Sequence, residues 1–247
     1  MTFDAHPRSS LIVALDFDSL SSALKFAKQV ADLVGLFKIG SQLFTAAGPT
    51  AVKEISALGP GIFLDLKFHD IPNTVAGAVL SSAAMSGVQL VNIHALGGST
   101  MMKAAAQAIS AGVPLGMDRP RLLAVTILTS MDQKAMRETG ISGAPKTSVL
   151  KLARLAKNSG VDGVVASVQE AKVIRKACGR DFLIVTPGVR PKEKSLSEKK
   201  DDQARTASPT EAIRAGADYI VVGRPILAAE DPRSAAQAIV DEIAAAK

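Results

Sequence analysis

Charged side chains around Asp65 and Lys67 have the types and the spacing of a proton-transfer site. The two residues are two positions apart in an apolar run that indicates a strand, so both side chains point to the same side. Asp70 follows on the predicted loop, and Lys38 lies in the preceding predicted strand. Four converging charges favour a functional site over a salt-bridge network that only closes one end of the fold, because desolvating so many ions is costly.

The chemistry of this set follows from its alternation of lysines and carboxylates. A lysine flanked by carboxylates stays an ammonium, so it suits proton donation and not Schiff-base formation. A carboxylate aimed at a substrate anion repels it, and that repulsion ends if the anion leaves as carbon dioxide. The pattern therefore predicts decarboxylation with delivery of a proton to the carbanion.

A second group of cations indicates a phosphate site. Arg190 and Arg224 come just after two predicted strands near the end of the chain, and each is preceded by glycine or by glycine and valine. The planar guanidinium donates paired hydrogen bonds to phosphate oxygens. Gly223 permits close approach of the backbone and can offer its N–H. An ordinary surface cation is the alternative for either arginine alone.

The elements that position these residues form a repeating pattern of apolar, β-branched runs separated by amphipathic helical stretches. Continuous apolar strands joined by helices indicate a parallel sheet that is buried on both faces. Eight such runs over 247 residues predict a single-domain (β/α)8 TIM barrel spanning 1–247. An open dinucleotide-binding sheet is disfavoured, because the first run ends in Asp16-Phe17-Asp18 and not in a glycine-rich turn. The eight predicted strands are Leu11–Asp16, Leu36–Gly40, Ile62–Lys67, Leu90–His94, Leu122–Leu128, Gly163–Ala166, Phe182–Thr186 and Tyr219–Gly223.

Composition narrows the function classes. The chain has 29 Lys and Arg against 23 Asp and Glu, a net charge of +6 that suits an anionic partner. Aromatic residues are only 4% of the chain, which argues against single-stranded nucleic acid. A lone Cys178, a polar N-terminus and no long apolar run predict a cytoplasmic protein without membrane association. The three histidines have no metal-ligand spacing, so no metal site is predicted.

The segment Phe63 to Val75, FLDLKFHDIPNTV, resembles the signature of the orotidine 5′-phosphate decarboxylase family. The resemblance extends along nearly the whole chain, and five further motifs occur in the order of the family. These motifs are Ala14-Leu15-Asp16, Phe37-Lys38-Ile39-Gly40, Ala124 to Ser130, Thr186 to Arg190 and Val221 to Arg224. The resemblance implies a homodimeric barrel that converts orotidine 5′-phosphate to UMP, the last step of pyrimidine synthesis, without a cofactor.

The resemblance also implies a role for each matching residue. Lys67 would protonate C6 of the pyrimidine, Asp65 would lie beside the departing carboxylate, and Lys38 would hold the network and touch the ribose. Asp70 would reach across the dimer interface into the partner's site and contact a ribose hydroxyl. The other implied substrate-binding residues are Asp16, Ile71, Thr74, Thr129, Ser130, Arg190, Gln203, Gly223 and Arg224.

The polar, charge-dense segment at about 190–208 is long for a loop in a compact domain. It predicts a mobile loop that closes on the phosphate, with Gln203 matching a glutamine of the family. A solvated charged loop is the alternative.

Two other functions remain open at this point. A sugar-phosphate decarboxylase or hexulose-phosphate synthase of the same superfamily shares the Asp-x-Lys-x-x-Asp core but uses Mg²⁺. A non-catalytic nucleotide-binding barrel is the alternative from another class, and it requires an incomplete set of charged residues.

Overall fold

The computed structural model describes residues 6–113, 116, 118–191 and 206–247, and its strands form one closed parallel barrel. Neighbouring strands pair in chain order, and the last strand pairs with the first. The strands are β1 (Leu11–Ala14), β2 (Leu36–Gly40), β3 (Gly61–Phe68), β4 (Val88–His94), β5 (Arg121–Val125), β6 (Gly163–Val165), β7 (Leu183–Thr186) and β8 (Tyr219–Val222). The predicted TIM barrel is therefore confirmed.

Helices follow the strands and cover the outside of the barrel. The α-helices are α1 (Leu20–Val30), α2 (Ser41–Ala47), α3 (Pro49–Ser56), α4 (Pro72–Ala83), α5 (Gly98–Gly112), α6 (Gln133–Glu138), α7 (Pro145–Asn158), α8 (Val168–Cys178), α9 (Pro209–Arg214), α10 (Arg224–Leu227) and α11 (Pro232–Ala244). Short 3₁₀ helices span Pro7–Ser10, Ala31–Leu33 and Ala95–Gly97. None of the helices in the described ranges is long and apolar enough to cross a membrane.

Alternation along each strand divides the apolar side chains between two cores. One face packs under the helices, as Val13, Phe37 and Leu64 do. The other face fills the inside of the barrel, with Ile12, Ala14, Leu36, Phe63, Leu90, Leu123, Leu183, Val185 and Val221. Because both faces are buried, the strands are mostly apolar, and several charged side chains stand where the inward-facing rows reach the barrel mouth.

Most predicted strands differ from the observed ones by one or two residues at an end. The predicted carboxyl-terminal ends of two strands are wrong. Asp16 lies two residues beyond the end of β1, and β5 ends at Val125 instead of Leu128. In the second case the chain leaves the sheet after Thr126, whose N–H and hydroxyl donate to the Val165 carbonyl, and then turns at Leu128 to Met131.

Candidate active site

Four charged side chains, which we call the charged cluster, are linked by contacts at the carboxyl-terminal mouth of the barrel. Asp16, Lys38, Asp65 and Lys67 extend the inward-facing rows of β1, β2 and β3. Lys38 Nζ lies 3.1 Å from Asp16 Oδ1 and 3.4 Å from Asp65 Oδ2. Lys67 Nζ lies 2.7 Å from Asp65 Oδ1. Asp65 is therefore the shared anion between two ammonium groups.

The environment of Lys38 keeps its charge. Desolvation by burial acts to lower the pKa of Lys38, but the charges of Asp65 and Asp16 and their hydrogen bonds outweigh it, so the pKa is raised above its ordinary 10.5. Lys38 is thus an ammonium at neutral pH. Its fixed positive charge balances part of the negative charge of the two carboxylates.

Lys67 owes its position to an irregular segment of β3. In the register of β3 against β4, Leu64 pairs with Val91 and Phe68 with Ile93, so three residues of β3 oppose one residue of β4. Within this bulge Lys67 has φ 52, the one positive value for a non-glycine residue in the described ranges. Bulges and left-handed residues of this kind are found beside active sites, where they redirect a side chain. The Lys67 side chain is 38% exposed, so its ammonium is accessible from the mouth.

The residue opposite the bulge is Asn92, which the sequence reasoning missed. It is fully buried at 0% exposure. Its Nδ2 donates to Asp65 Oδ1 at 2.6 Å, and its Oδ1 accepts from the Lys67 N–H at 2.8 Å. The signal was present in the sequence, since Asn92 is a polar residue in an otherwise apolar run, between Leu90 and His94 on the same face.

A cavity of about 360 Å³ is lined both by the charged cluster and by the predicted phosphate-binding residues. Its lining includes Gly188 and nine of the predicted site residues: Asp16, Lys38, Asp65, Lys67, Thr129, Ser130, Arg190, Gly223 and Arg224. Thr129 is buried and Ser130 is exposed. Gly188 has φ 74, a value that favours glycine, and it precedes the turn that brings Arg190 to the mouth. The Arg190 N–H donates to the Ala207 carbonyl, which fixes the backbone there.

Three predicted site residues lie away from this cavity. Asp70, Ile71 and Thr74 are exposed on the loop after β3 and on the first turn of α4, and none of them lines it. Asp70 Oδ1 accepts from the Ile71 N–H at 2.6 Å, and no ion pair of Asp70 occurs within the described part of the chain. Asp70 therefore does not join the other three charges within one chain, and its implied role in the partner's site stays a prediction. Gln203 lies outside the described residues.

A larger cavity of about 750 Å³ lies at the opposite, amino-terminal end of the barrel. Two of the cations that line it, Arg119 and Arg121, form ion pairs with Asp162. Asp32, which also lines this cavity, forms an ion pair with Arg233. Polar residues at this end of such barrels contribute to stability, whereas those at the carboxyl ends of strands act in function. We therefore take the smaller cavity as the candidate active site.

Two histidines lie near the charged cluster. His69 and His94 stack with ring centroids 5.3 Å apart. Burial, followed by the charges of His69 and Lys67, lowers the pKa of His94 below its ordinary 6.5, so His94 is neutral at pH 7. In the part of the chain that the structure describes, no group of three His, Cys, Asp or Glu side chains is arranged to hold a metal ion.

The arrangement combines a lysine that can donate a proton with arginines that can bind an anion. Lys67 contacts Asp65 at 2.7 Å, and Arg190 and Arg224 line the same cavity. A ligand that fits would carry a phosphate and react at a carbon near Lys67.

Comparison with known proteins agrees with this arrangement. Residues 9–239 match the model of the "Orotidine 5'-phosphate decarboxylase / HUMPS family". The chain is 53% identical over 238 residues to orotidine 5′-phosphate decarboxylase of Pelobacter propionicus, covering 96% of both chains. It is 51% identical over 235 residues to the protein of the same name from Geobacter sp. strain M21, covering 95% of this chain and 96% of that one.

A solved structure gives the same answer for the fold. The crystal structure of orotidine 5′-phosphate decarboxylase from Lactobacillus acidophilus superposes with a TM-score of 0.81 at 41% identity, covering 94% of this chain and 98% of that chain. With the family model matching nearly the whole chain, these relatives show that the chain belongs to the orotidine 5′-phosphate decarboxylase / HUMPS family.

Proposed function

We propose that this protein decarboxylates orotidine 5′-phosphate to UMP. The observation that carries the proposal is the Lys67 ammonium, held 2.7 Å from Asp65 in a cavity that also contains Arg190 and Arg224. The name of the matching family covers a second activity, HUMPS, but the relatives at 53% and 51% identity are named orotidine 5′-phosphate decarboxylase.

The proposed reaction breaks the bond between C6 of the pyrimidine and its carboxylate carbon. The electron pair of that bond stays on C6, carbon dioxide leaves, and Lys67 Nζ transfers a proton to C6. The Asp65 carboxylate faces the substrate carboxylate and repels it, and this repulsion disappears as carbon dioxide departs. Lys38 holds the Asp65 side chain in place through its 3.4 Å contact. The neutral Lys67 left after the transfer regains its proton from solvent, to which it is 38% exposed.

The remaining lining residues bind the rest of the nucleotide in this proposal. Asp16 and Lys38 contact the ribose, Thr129 and Ser130 approach the base, and the backbone at Gly223 joins the two arginines at the phosphate. Two guanidiniums at the strand ends bind a phosphate through paired hydrogen bonds. Binding energy from the phosphate, remote from C6, then contributes to stabilisation of the transition state. Gln203 and the mobile loop proposed near it lie among residues outside the described ranges, so both stay predictions.

We propose further that two copies of the chain form the active unit, with Asp70, Ile71 and Thr74 acting in the partner's site. Ile71 is 67% exposed, unusual for a large apolar side chain, and it lies between Asp70 and the start of α4. Burial of this side chain against a second copy would bring the adjacent Asp70 to that copy's cavity.

Mixing of two inactive variants tests the shared site. Lys67→Ala and Asp70→Ala are each expected to abolish most activity as pure proteins. After dissociation and reassociation at a 1:1 ratio, random pairing yields one intact site in each heterodimer, so about one quarter of wild-type activity should return. If each chain supplies its own Asp70, mixing restores nothing.

We propose that the protein works in the cytoplasm as a single-domain barrel, and that it binds neither nucleic acid nor membranes.

We propose also that the reaction needs no cofactor. The test of this point is turnover of orotidine 5′-phosphate by the purified protein after treatment with EDTA, with a hexulose phosphate as the comparison substrate. Full activity on the nucleotide after chelation is expected. Loss of activity that Mg²⁺ restores, or turnover of the sugar phosphate alone, would support the second activity of the family.

A further inference from the structure

Asn92 connects the two residues on which the proposed chemistry depends. It lies on β4 inside the barrel, in contact with the charged cluster, and is 0% exposed. One side-chain atom binds the carboxylate of Asp65 and another binds the backbone of Lys67. We propose that Asn92 is a positioning residue that sets the geometry of the Asp65 and Lys67 pair. This inference rests on the proposed function and deepens it.

The bulge in β3 explains why a side chain is needed at this position. Regular parallel pairing satisfies each strand N–H with a carbonyl of the neighbouring strand. Here three residues of β3 face a single residue of β4, so the ladder is interrupted between Leu64 and Phe68. The Lys67 N–H instead donates to the Asn92 side chain at 2.8 Å. Asn92 thus replaces a ladder hydrogen bond and supports Lys67 in its left-handed conformation at φ 52.

The second hydrogen bond of Asn92 fixes the carboxylate. Asp65 Oδ1 accepts from Asn92 Nδ2 at 2.6 Å and from Lys67 Nζ at 2.7 Å. Rotation of the carboxylate would break both contacts. A carboxamide is the side chain that serves this position, because it supplies one donor for the anion and one acceptor for the N–H.

Asn92 affects the substrate only through these two neighbours. It does not line the cavity and has no exposed surface, so its loss is not expected to remove a contact to a ligand. Displacement of the Lys67 ammonium should lower kcat, because proton transfer depends on its alignment with C6. The expected signature is a fall in kcat with KM and the affinity for UMP little changed.

The experiment compares Asn92→Leu and Asn92→Asp with a control, Thr186→Val. Thr186 is equally buried at 0% exposure, and its hydroxyl donates to the Tyr219 carbonyl away from the cavity. We expect kcat to fall by about 10- to 100-fold in both Asn92 variants, with KM and UMP affinity within about threefold, and Thr186→Val to retain kcat within about twofold. If Asn92→Leu does not fold, Asn92→Asp has nearly the same shape and decides the kinetic result.

Amide hydrogen exchange at Lys67, followed by NMR, gives a readout that does not need activity. Protection is expected in the wild type and in Asn92→Asp, which keeps an acceptor, and its loss is expected in Asn92→Leu. Equal kcat values in Asn92→Asp and Thr186→Val, a change in KM alone, or unchanged exchange in Asn92→Leu would each overturn the inference. A wild-type protein that fails to decarboxylate orotidine 5′-phosphate would refute the proposed function instead, and the exchange result would still test the role of Asn92.

Discussion

At the scale of single residues, Lys67 is held by contacts that come from three strands. Asp65 on β3 takes hydrogen bonds from Lys67 and from Asn92 on β4, and its other oxygen faces Lys38 on β2. The side chains therefore constrain one another, and a change in one should move the others. Neighbours that touch no ligand can thus control the rate.

Gly40 is one such neighbour. A Cβ atom at this position would lie 3.0 Å from Lys38 Nζ and 3.7 Å from Asp16 Oδ1. Because Lys38 has a flexible side chain, Gly40→Ala should leave the fold intact while pushing the ammonium away from Asp65. We expect kcat/KM to fall by about tenfold with a midpoint of thermal unfolding close to that of the wild type. Steady-state kinetics check this, and unchanged kcat/KM would show that the position of Lys38 is not critical.

His94 makes stability depend on pH. Its Nδ1 is buried and has no hydrogen-bond partner in the described ranges, and burial lowers its pKa below 6.5. The unfolded chain therefore binds a proton at His94 more readily than the folded one, so the free energy of unfolding falls as pH drops from 6.5 toward the lowered pKa. The stacked His69 and the nearby Lys67 act in the same direction.

We expect His94→Gln to reduce the slope of unfolding free energy between about pH 7.5 and about pH 5.5. Urea unfolding at several pH values measures it. Identical slopes for the variant and the wild type would contradict the assignment to His94.

At the scale of elements, the sequence predicts most of the barrel but not its irregular part. Apolar runs mark the strands because both faces are buried, and Lys38, Asp65 and Lys67 follow from the period of two. The bulge from Asp65 to Lys67 could not be predicted, since it depends on the register between β3 and β4. Asn92 stands out in the sequence as a polar residue, but its role could not be predicted, because that role exists only once the bulge lies opposite it. The exposed position of Asp70, outside the cavity lining, likewise depends on backbone geometry that no spacing rule contains.

Arg175 joins three elements at the amino-terminal end of the barrel. From α8 its guanidinium donates to the Phe182 carbonyl before β7, to the Gly216 carbonyl and, at 2.6 Å, to Asp218 before β8. Arg175→Ala leaves buried acceptors unsatisfied, so we expect a loss of about 3 kcal/mol in the free energy of unfolding. Because the cavity at the mouth is not touched, kcat at low temperature should stay within about twofold. Chemical denaturation and kinetics on the same sample check both values, and a large fall in kcat without destabilisation would contradict this division.

At the scale of the whole molecule, the two ends of the barrel have different tasks. Ion pairs such as those of Asp162 and Arg175 fasten the amino-terminal end, while the carboxyl-terminal mouth holds Lys38, Lys67 and two arginines in a single cavity. Of the cations behind the net charge of +6, this small set is the one that we propose binds the anionic substrate.

A positive chain and an anionic substrate should attract each other before contact. We expect kcat/KM for orotidine 5′-phosphate to fall severalfold as salt rises from about 20 to about 200 mM, with kcat nearly constant, because salt screens the approach more than the contacts in the closed site. Initial rates at constant pH measure this. A kcat/KM independent of salt would show that long-range attraction contributes little.

In the proposed reaction Lys67 delivers the proton, and turnover of orotidine 5′-phosphate by Lys67→Ala tests this role. The loss of substrate absorbance is followed for the wild type, for Lys67→Ala and for Lys146→Ala, a control on the first turn of α7. We expect rapid turnover by the wild type and by Lys146→Ala, and a fall of at least about 1,000-fold in Lys67→Ala, because general acid catalysis and positioning are lost together. Turnover by Lys67→Ala at the wild-type rate would show that Lys67 does not deliver the proton.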